Sequence, residues 1–373
     1  MGDRGAALAN LVTATANHSI AISAVVHDDL DDICARAAPA LRALAGKTVL
    51  VAGGAGFLPS YVVDALARAN ETMQAEPCRI ICVDNVVTGA WTRLAHLEGR
   101  PDIAFRTHDL TQKLVLDEPV HAIVHGASIA SPSWYRRRPL ETIDVNVIGT
   151  RYLLELAREE KVESFLYLSS SEVYGDPDPA RVPTTEDYWG NVSSTGPRAP
   201  YDESKRLAET LCATYHRLYG TPVRIVRPFN VYGPRLRLDD GRVIPDFLSD
   251  ALARRPIALL SDGRATRSFC YVGDFTAALL LLLVEGSAGE VYNVGNDEEV
   301  TIREAAEILD GLPGVGVGVA SATSDDADYL TDNPSRRCPD LSKTRAAIDW
   351  SPSTPLREGL HRTLASYRGE RSA

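Results

Sequence analysis

Tyr201 and Lys205 stand one helical turn apart, so any helix that carries them presents both on one face. An ordinary tyrosine titrates near 10, and a neighbouring ammonium stabilises its phenolate. Such a pair suits removal of a proton from an alcohol while a hydride leaves the same carbon. Upstream, Ser169-Ser170-Ser171-Glu172-Val173-Tyr174-Gly175 offers hydroxyls and a carboxylate. The Tyr-x-x-x-Lys spacing alone is common and usually marks an exposed helix face. Its meaning depends on what stands in front of it.

In front of it stands a glycine turn, Gly53-Gly54-Ala55-Gly56-Phe57-Leu58-Pro59, between a strand and a helix. Glycines there permit a tight turn and close backbone approach, and a helix N-terminus attracts a pyrophosphate. Asp84 ends the next strand, where an acid bonds ribose hydroxyls and repels a 2′-phosphate. The combination points to a dinucleotide, and to NAD rather than NADP.

These residues need elements to position them. From Lys47 the sequence alternates strands and helices: TVLVAG, GFLPSYVVDALARAN, RIICVDN, AFRTHD, HAIVHGAS, a helix around 141–160, SFLYLSS, a helix after Tyr201, and VRIVRPFN. Apolar, β-branched strands separated by helices predict an α/β fold, a Rossmann-type doubly wound parallel sheet covered on both faces. After Asn230 the rhythm breaks, and VYNVG near 291 reads as one more strand. We expect a helical extension over 1–46 and a NAD-binding domain over 47–228 plus about 270–295. A smaller, discontinuous sugar-nucleotide lobe is expected over about 229–269 plus 296–373. In the extension, Leu30, Ile33, Ala37, Leu41 and Leu44 keep near-helical spacing from Asp28 onward, with acids in the first turn.

Composition narrows the function. The chain is 45% hydrophobic and 24% charged, ordinary globular values, with a net charge of −11. The bulk surface should repel nucleic acid and anionic membrane, so an anionic substrate needs a local basic pocket. The longest apolar run, Phe275 to Val284, is far short of the ~20 residues that cross a bilayer. No signal peptide is evident, and six dispersed cysteines suit reduced thiols, so a cytoplasmic protein is expected. HAIVH spaces His121 and His125 but lacks the glutamate of a zinc-hydrolase helix, so no metal is expected. The Arg136–Arg138 run reads as a solvated or phosphate-facing patch.

Together the segments GGAGF, VDNVVTG, SSSEVYGDP, TEDYWGNVSSTGPRAPYDESKR, FNVYGPRLRLDDGRV, ATRSFCYVGD and NPSRRCPDLSK resemble the extended short-chain dehydrogenases/reductases, most closely the UDP-glucuronate decarboxylases. The resemblance spans roughly residues 47 to 365. It implies Gly53, Gly56, Phe57, Leu58, Asp84, Asn85 and Thr88 along bound NAD, Asp109 with Leu110 at the adenine, and Ser128 and Thr142 at the nicotinamide side. It implies Ser170 beside Tyr201 at the sugar 4-hydroxyl, and Glu172 and Arg267 serving decarboxylation. Tyr135, Asn230, Arg242 and Arg337 would complete the UDP-sugar site. A homodimer through the Tyr201 helix and its predecessor is also implied.

In the implied reaction NAD oxidises C4, which places the C5 carboxylate β to a ketone and allows carbon dioxide to leave. Tyr201 acts as base and then acid, and Lys205 lowers its pKa. Arg267 holds the carboxylate and Glu172 assists proton handling at C5. Return of the hydride gives UDP-xylose; early escape gives a UDP-4-keto-pentose. A 4,6-dehydratase would carry an Asp where Ser171 stands, and a 4-epimerase usually lacks an acid at 172. Retention of Tyr201, Lys205 and Ser170 argues against a binding regulator that has lost catalysis. Three positions depart from the pattern: Pro59 where the fingerprint ends in glycine, Glu141 where a lysine is expected near the sugar pocket, and Ser193-Ser194-Thr195 in place of a proline-containing turn.

Overall fold

The computed structural model describes residues 22–324, 331 and 333–369. Six strands, β1 (Thr48–Ala52), β2 (Arg79–Asp84), β3 (Ile103–Thr107), β4 (Ala122–His125), β5 (Ser164–Leu168) and β6 (Val223–Pro228), join an edge strand, Val291–Val294, in one sheet. The spatial order is edge strand, β6, β5, β4, β1, β2, β3. Every pairing is parallel. The chain runs outward from β1 to β3 and then returns to β4 on the other side of β1. A crevice opens at that reversal, beyond the carboxyl ends of β1 and β4, where such sheets bind ligands.

Alternation within the strands explains both covered faces. Val49 and Val51 of β1 face a core shared with Tyr61 and Leu66 of the helix Phe57–Thr72 and Phe275 and Leu279 of the helix Val272–Glu285. Leu50 and Ala52 face the opposite core, with Leu153 of the helix Thr150–Glu160 and Ala208 and Cys212 of the helix Ala199–Tyr219. The expected helix around 141–160 forms as Pro139–Asp144, a π-turn at Val145–Gly149, and Thr150–Glu160. Helix Ala199–Tyr219 stops at Gly220, whose φ of 68° is costly for other residues.

The N-terminal helix differs from expectation. It starts at Ala24, capped by Ser23, so no acid lies in its first turn, and it breaks at Ala37 before a second helix, Ala38–Ala43. Pro39 explains the break, because proline fits a first turn and not an interior. Leu30, Ile33, Ala37, Leu41 and Leu44 all join the main core. Asp29 accepts from Tyr271 Oη at 2.7 Å and pairs with Arg362, while Arg36 reaches Asp274 at 2.5 Å.

Around the carboxyl end of the sheet lie small strands from the C-terminal segments. Thr266–Ser268 lies between Glu299–Thr301, antiparallel, and Arg336–Arg337, parallel. That register sets Arg337 opposite Arg267. No described helix is long and apolar enough to cross a membrane.

Candidate active site

Two clefts occupy the crevice, of about 630 and 300 Å³, and Gly56, Thr88, Gly126 and Ser128 line both. The smaller holds Gly53, Asp84, Asn85, Asp109 and Leu110, with Arg138, Glu141 and Asp144 beside them. Gly53 has φ 79°, and a Cβ there would lie 2.6 Å from the Ala127 backbone. Asp84 accepts from Ala55 N at 3.0 Å and Val86 N at 2.7 Å, so it ties the glycine turn to its own strand end. Burial pushes its carboxyl up, against these backbone N–H donors, which lower it. Phe57, Leu58 and Pro59 open the helix at the mouth of the larger cleft. Pro59 lacks an N–H only where the helix has no use for one, since Ser60 makes the first bond back to Gly56. The Ser128 hydroxyl is buried with no partner. A glycine cradle that a side chain would fill, a buried acid at the end of β2 and an orphaned hydroxyl fit a dinucleotide.

The larger cleft gathers Ser170, Glu172, Tyr201 and Lys205 with Tyr135, Asn230, Arg242, Arg267 and Arg337. β5 ends beneath Ser170, which caps the short 3-10 turn Ser171–Tyr174 by accepting from Glu172 N at 3.2 Å. Ser170 and Tyr201 line the same cleft, and the Ser170 hydroxyl draws the Tyr201 phenol down. The Tyr201 phenol is pushed up to about 12 by burial, with Glu172 and Asp202 adding to the rise and Arg242 opposing it. Lys205 Nζ donates to Leu168 O at 2.8 Å and lies 4.9 Å from the Tyr167 ring centroid. Burial drives the ammonium down to about 7. The same ammonium lies 5.8 Å from the Tyr201 ring centroid, on the face that carries both side chains.

Glu172 is held by two guanidinium groups. Arg198 reaches Oε2 at 2.5 Å, and Arg337 donates to both carboxylate oxygens, one of them at 2.7 Å. Those charges hold the Glu172 carboxyl well below the usual carboxylate range, overcoming the upward push of burial. While both arginines remain, the Glu172 carboxylate accepts from each of them. Arg267 donates to Thr266 O and Asn333 Oδ1, Asn230 Nδ2 to Ser268 O, and Arg242 pairs with Asp240. Tyr135 stacks on Tyr201, and its hydroxyl is buried without a partner. Arg93, Arg136 and Arg237 add further cations to this cleft, where acids are fewer. A protein of net charge −11 thus keeps a basic pocket.

The model of the NAD dependent epimerase/dehydratase family matches residues 49–295. The chain belongs to that family. NAD is accordingly its cofactor, and the glycine cradle, Asp84 and Ser128 are the residues fitted to hold it. Among curated members, UDP-glucuronic acid decarboxylase 6 of Arabidopsis thaliana is 43% identical over 84% of this chain and 86% of its own. Among solved members, the dTDP-glucose 4,6-dehydratase of Streptomyces venezuelae with NAD bound aligns with a TM-score of 0.75 at 29% identity, covering 86% of this chain and 97% of that one. The UDP-glucuronic acid 4-epimerase of Bacillus cereus, in complex with UDP-glucuronic acid and NAD, aligns at 0.71 and 26% identity, covering 86% and 99%.

Within this epimerase/dehydratase site two expectations need correcting. Thr142 lines neither cleft; it is fully buried and its hydroxyl donates to Arg138 O at 2.8 Å, back into its own helix. Glu141 lies in the cleft of Asp84 and Asp109, not in the larger cleft that gathers Tyr201 and Glu172. Helix periodicity explains that placement, since Glu141 and Asp144 share the exposed side while Thr142 turns inward. Arg198 went unassigned in sequence, although it precedes Tyr201 by one turn of the same helix, a spacing that puts both at one surface.

Proposed function

We propose that this protein is a UDP-glucuronate decarboxylase that works through a UDP-4-keto intermediate and yields UDP-xylose. The observation that carries the reading is the pairing of Ser171, not an acid, with an arginine-held Glu172 in a cleft rich in cations. A dehydratase needs an acid beside its leaving hydroxyl, and a substrate carrying both a diphosphate and a carboxylate needs many cations. Relatives named UDP-glucuronic acid decarboxylase, 38–43% identical over most of this chain, support the same substrate.

Bound NAD supplies the redox chemistry, accepting the C4 hydrogen as hydride and giving it back. Tyr201 takes the C4 hydroxyl proton, with Ser170 orienting that hydroxyl, as general acid–base geometry requires. Once C4 is a ketone, carbon dioxide leaves C5 and the electron pair is held as an enolate on that ketone. A proton from solvent water then goes to C5, and Tyr201 returns its own proton to the C4 oxygen as the alcohol re-forms. Arg267 faces the carboxylate, while Asn230, Arg242 and Arg337 serve the UDP moiety. A minor fraction of ketone escapes before the alcohol re-forms.

Incubation with UDP-glucuronate followed by mass analysis should show loss of carbon dioxide. Conversion to an epimer of unchanged mass, or a 4-keto-6-deoxy product from UDP-glucose or TDP-glucose, would overturn the assignment. Chromatography with and without added NAD should show UDP-xylose with a minor UDP-4-keto-pentose. UDP-xylose alone in both would remove the escape.

The active form we propose is a homodimer. Leu140, Ile143 and Ile148 before the helix Thr150–Glu160, and Leu207, Leu218 and Tyr219 on the Tyr201 helix, are exposed apolar side chains on packed neighbours. Such a face suits a second copy of the same chain. Sedimentation equilibrium should give twice the chain mass, and a monomer at micromolar concentration would refute it.

A further inference from the structure

The two arginines on Glu172 come from different places. Arg198 is the cap of the catalytic helix, with its carbonyl accepting from Tyr201 N at 3.0 Å and Asp202 N at 3.1 Å. Its guanidinium is fixed between Glu172 at 2.5 Å and Asp202 at 3.8 Å. Arg337 comes from the strand Arg336–Arg337, beside Arg267, in the small C-terminal sheet. Its side chain is 5% exposed, and its Nε has no hydrogen-bond partner. A buried guanidinium with an idle donor therefore lines the cleft in which the UDP-sugar is proposed to bind.

A guanidinium fork fits a carboxylate or a phosphate in the same two-pronged way, so one arginine cannot serve both fully. A diphosphate carries more charge than one carboxylate and competes for the fork. Losing Arg337 does not strand Glu172, because Arg198 stays. Breaking a buried pair is severe only when a charge is left alone.

Resting on the proposed UDP-sugar substrate, we infer that Arg337 is a shared cation: it holds Glu172 in the free protein and passes to the diphosphate when the nucleotide sugar enters, while Arg198 keeps Glu172. The handover changes Glu172 from a doubly paired acceptor to a singly paired carboxylate only when substrate is present. Glu172 would then be released for proton handling at C5 by the same event that seats the substrate.

Linkage gives the test. A contact made only in the free protein opposes the ligand that must break it. UDP and uridine are titrated calorimetrically into wild type, Glu172→Gln, Arg337→Met and the double variant. Glu172→Gln should bind UDP more tightly, on the order of ten-fold, with uridine unchanged. Arg337→Met should weaken UDP, and adding Glu172→Gln to it should give no gain. Because a glutamine oxygen still accepts one hydrogen bond, Glu172→Ala serves as a second variant and should also tighten UDP. Weaker or unchanged UDP binding in both Glu172 variants would overturn the handover, since Glu172 would then be steadying Arg337 for the phosphate. If wild type binds no UDP, the substrate reading itself fails and the handover with it; UDP binding without tightening removes the handover alone.

Discussion

The rings of Tyr135 and Tyr201 lie face to face, centroids 5.1 Å apart and planes 10° from parallel. Tyr201 shares its cleft with Ser170, whereas the Tyr135 hydroxyl is buried without a hydrogen-bond partner. A buried unpaired hydroxyl costs about 1–3 kcal/mol, and the Tyr135 hydroxyl lines the larger cleft. Tyr135→Phe should stabilise the unliganded protein by about 1 kcal/mol and raise KM for UDP-glucuronate. Urea unfolding with matched kinetics checks both, and a loss of stability would show that the hydroxyl already has a partner.

Tyr201→Phe keeps the stack and removes the acid–base. Turnover should fall by at least ~100-fold, the low end of what such a group contributes, while NAD remains bound. Near-wild-type turnover would take the proton transfer away from Tyr201.

Lys205 predicts a pH-dependent stability. Its folded pKa, near 7, lies below the unfolded value of 10.5. Between those values the unfolded chain holds the proton and the folded one does not, so stability rises with pH across pH 7 to 10.5. Relative to Lys205→Met, the wild type without added cofactor should therefore gain a few kcal/mol from pH 6.5 to pH 9.5. A flat difference would mean that the ammonium is charged in the fold.

Asp29 predicts the opposite slope in another window. Burial raises its carboxyl to about 6 from 3.8, against the pull of Arg362. Between those values the folded state holds the extra proton, so this contribution is present below pH 3.8 and is lost as pH rises through 6. Asp29→Asn should gain stability relative to wild type from pH 4 to pH 7 in denaturant titrations. A relative loss would show that the Arg362 pair outweighs desolvation.

Cofactor choice should follow Asp84. Wild type should bind NAD far more tightly than NADP, and Asp84→Ala should narrow the gap. Because Asp84 also holds Ala55 N and Val86 N, most of the change should be loss of NAD affinity, roughly ten-fold or more for two lost charge-assisted bonds. Equal wild-type affinities by calorimetry would remove Asp84 as the discriminator.

Periodicity made the sheet legible, because β1, β4 and β5 are fully buried and so carry runs of apolar residues with no polar interruption. The glycine turn and the Tyr201–Lys205 pair were legible because each depends on local spacing. What spacing does not carry is environment. Lys205 as an electrostatic aid to Tyr201 followed from proximity, yet the neighbours that decide its charge, Leu168 O and the Tyr167 ring, come from another strand. The arginine clamp on Glu172 was not legible, because Arg337, distant in sequence, reaches it only through the parallel pairing with Thr266–Ser268. Glu141 was assigned to the wrong cleft because the two clefts share a neck and sequence order does not say which side of it a helix faces.

That neck has one more property. A Cβ on Gly126 would meet the Pro59 ring at 2.5 Å, so the proline occupies the space a side chain after β4 would need. The dependence runs one way: position 59 can change while 126 stays glycine, but a side chain at 126 needs the proline replaced first. Among descendants of this sequence, a substitution at 126 should appear only where 59 has already lost its proline.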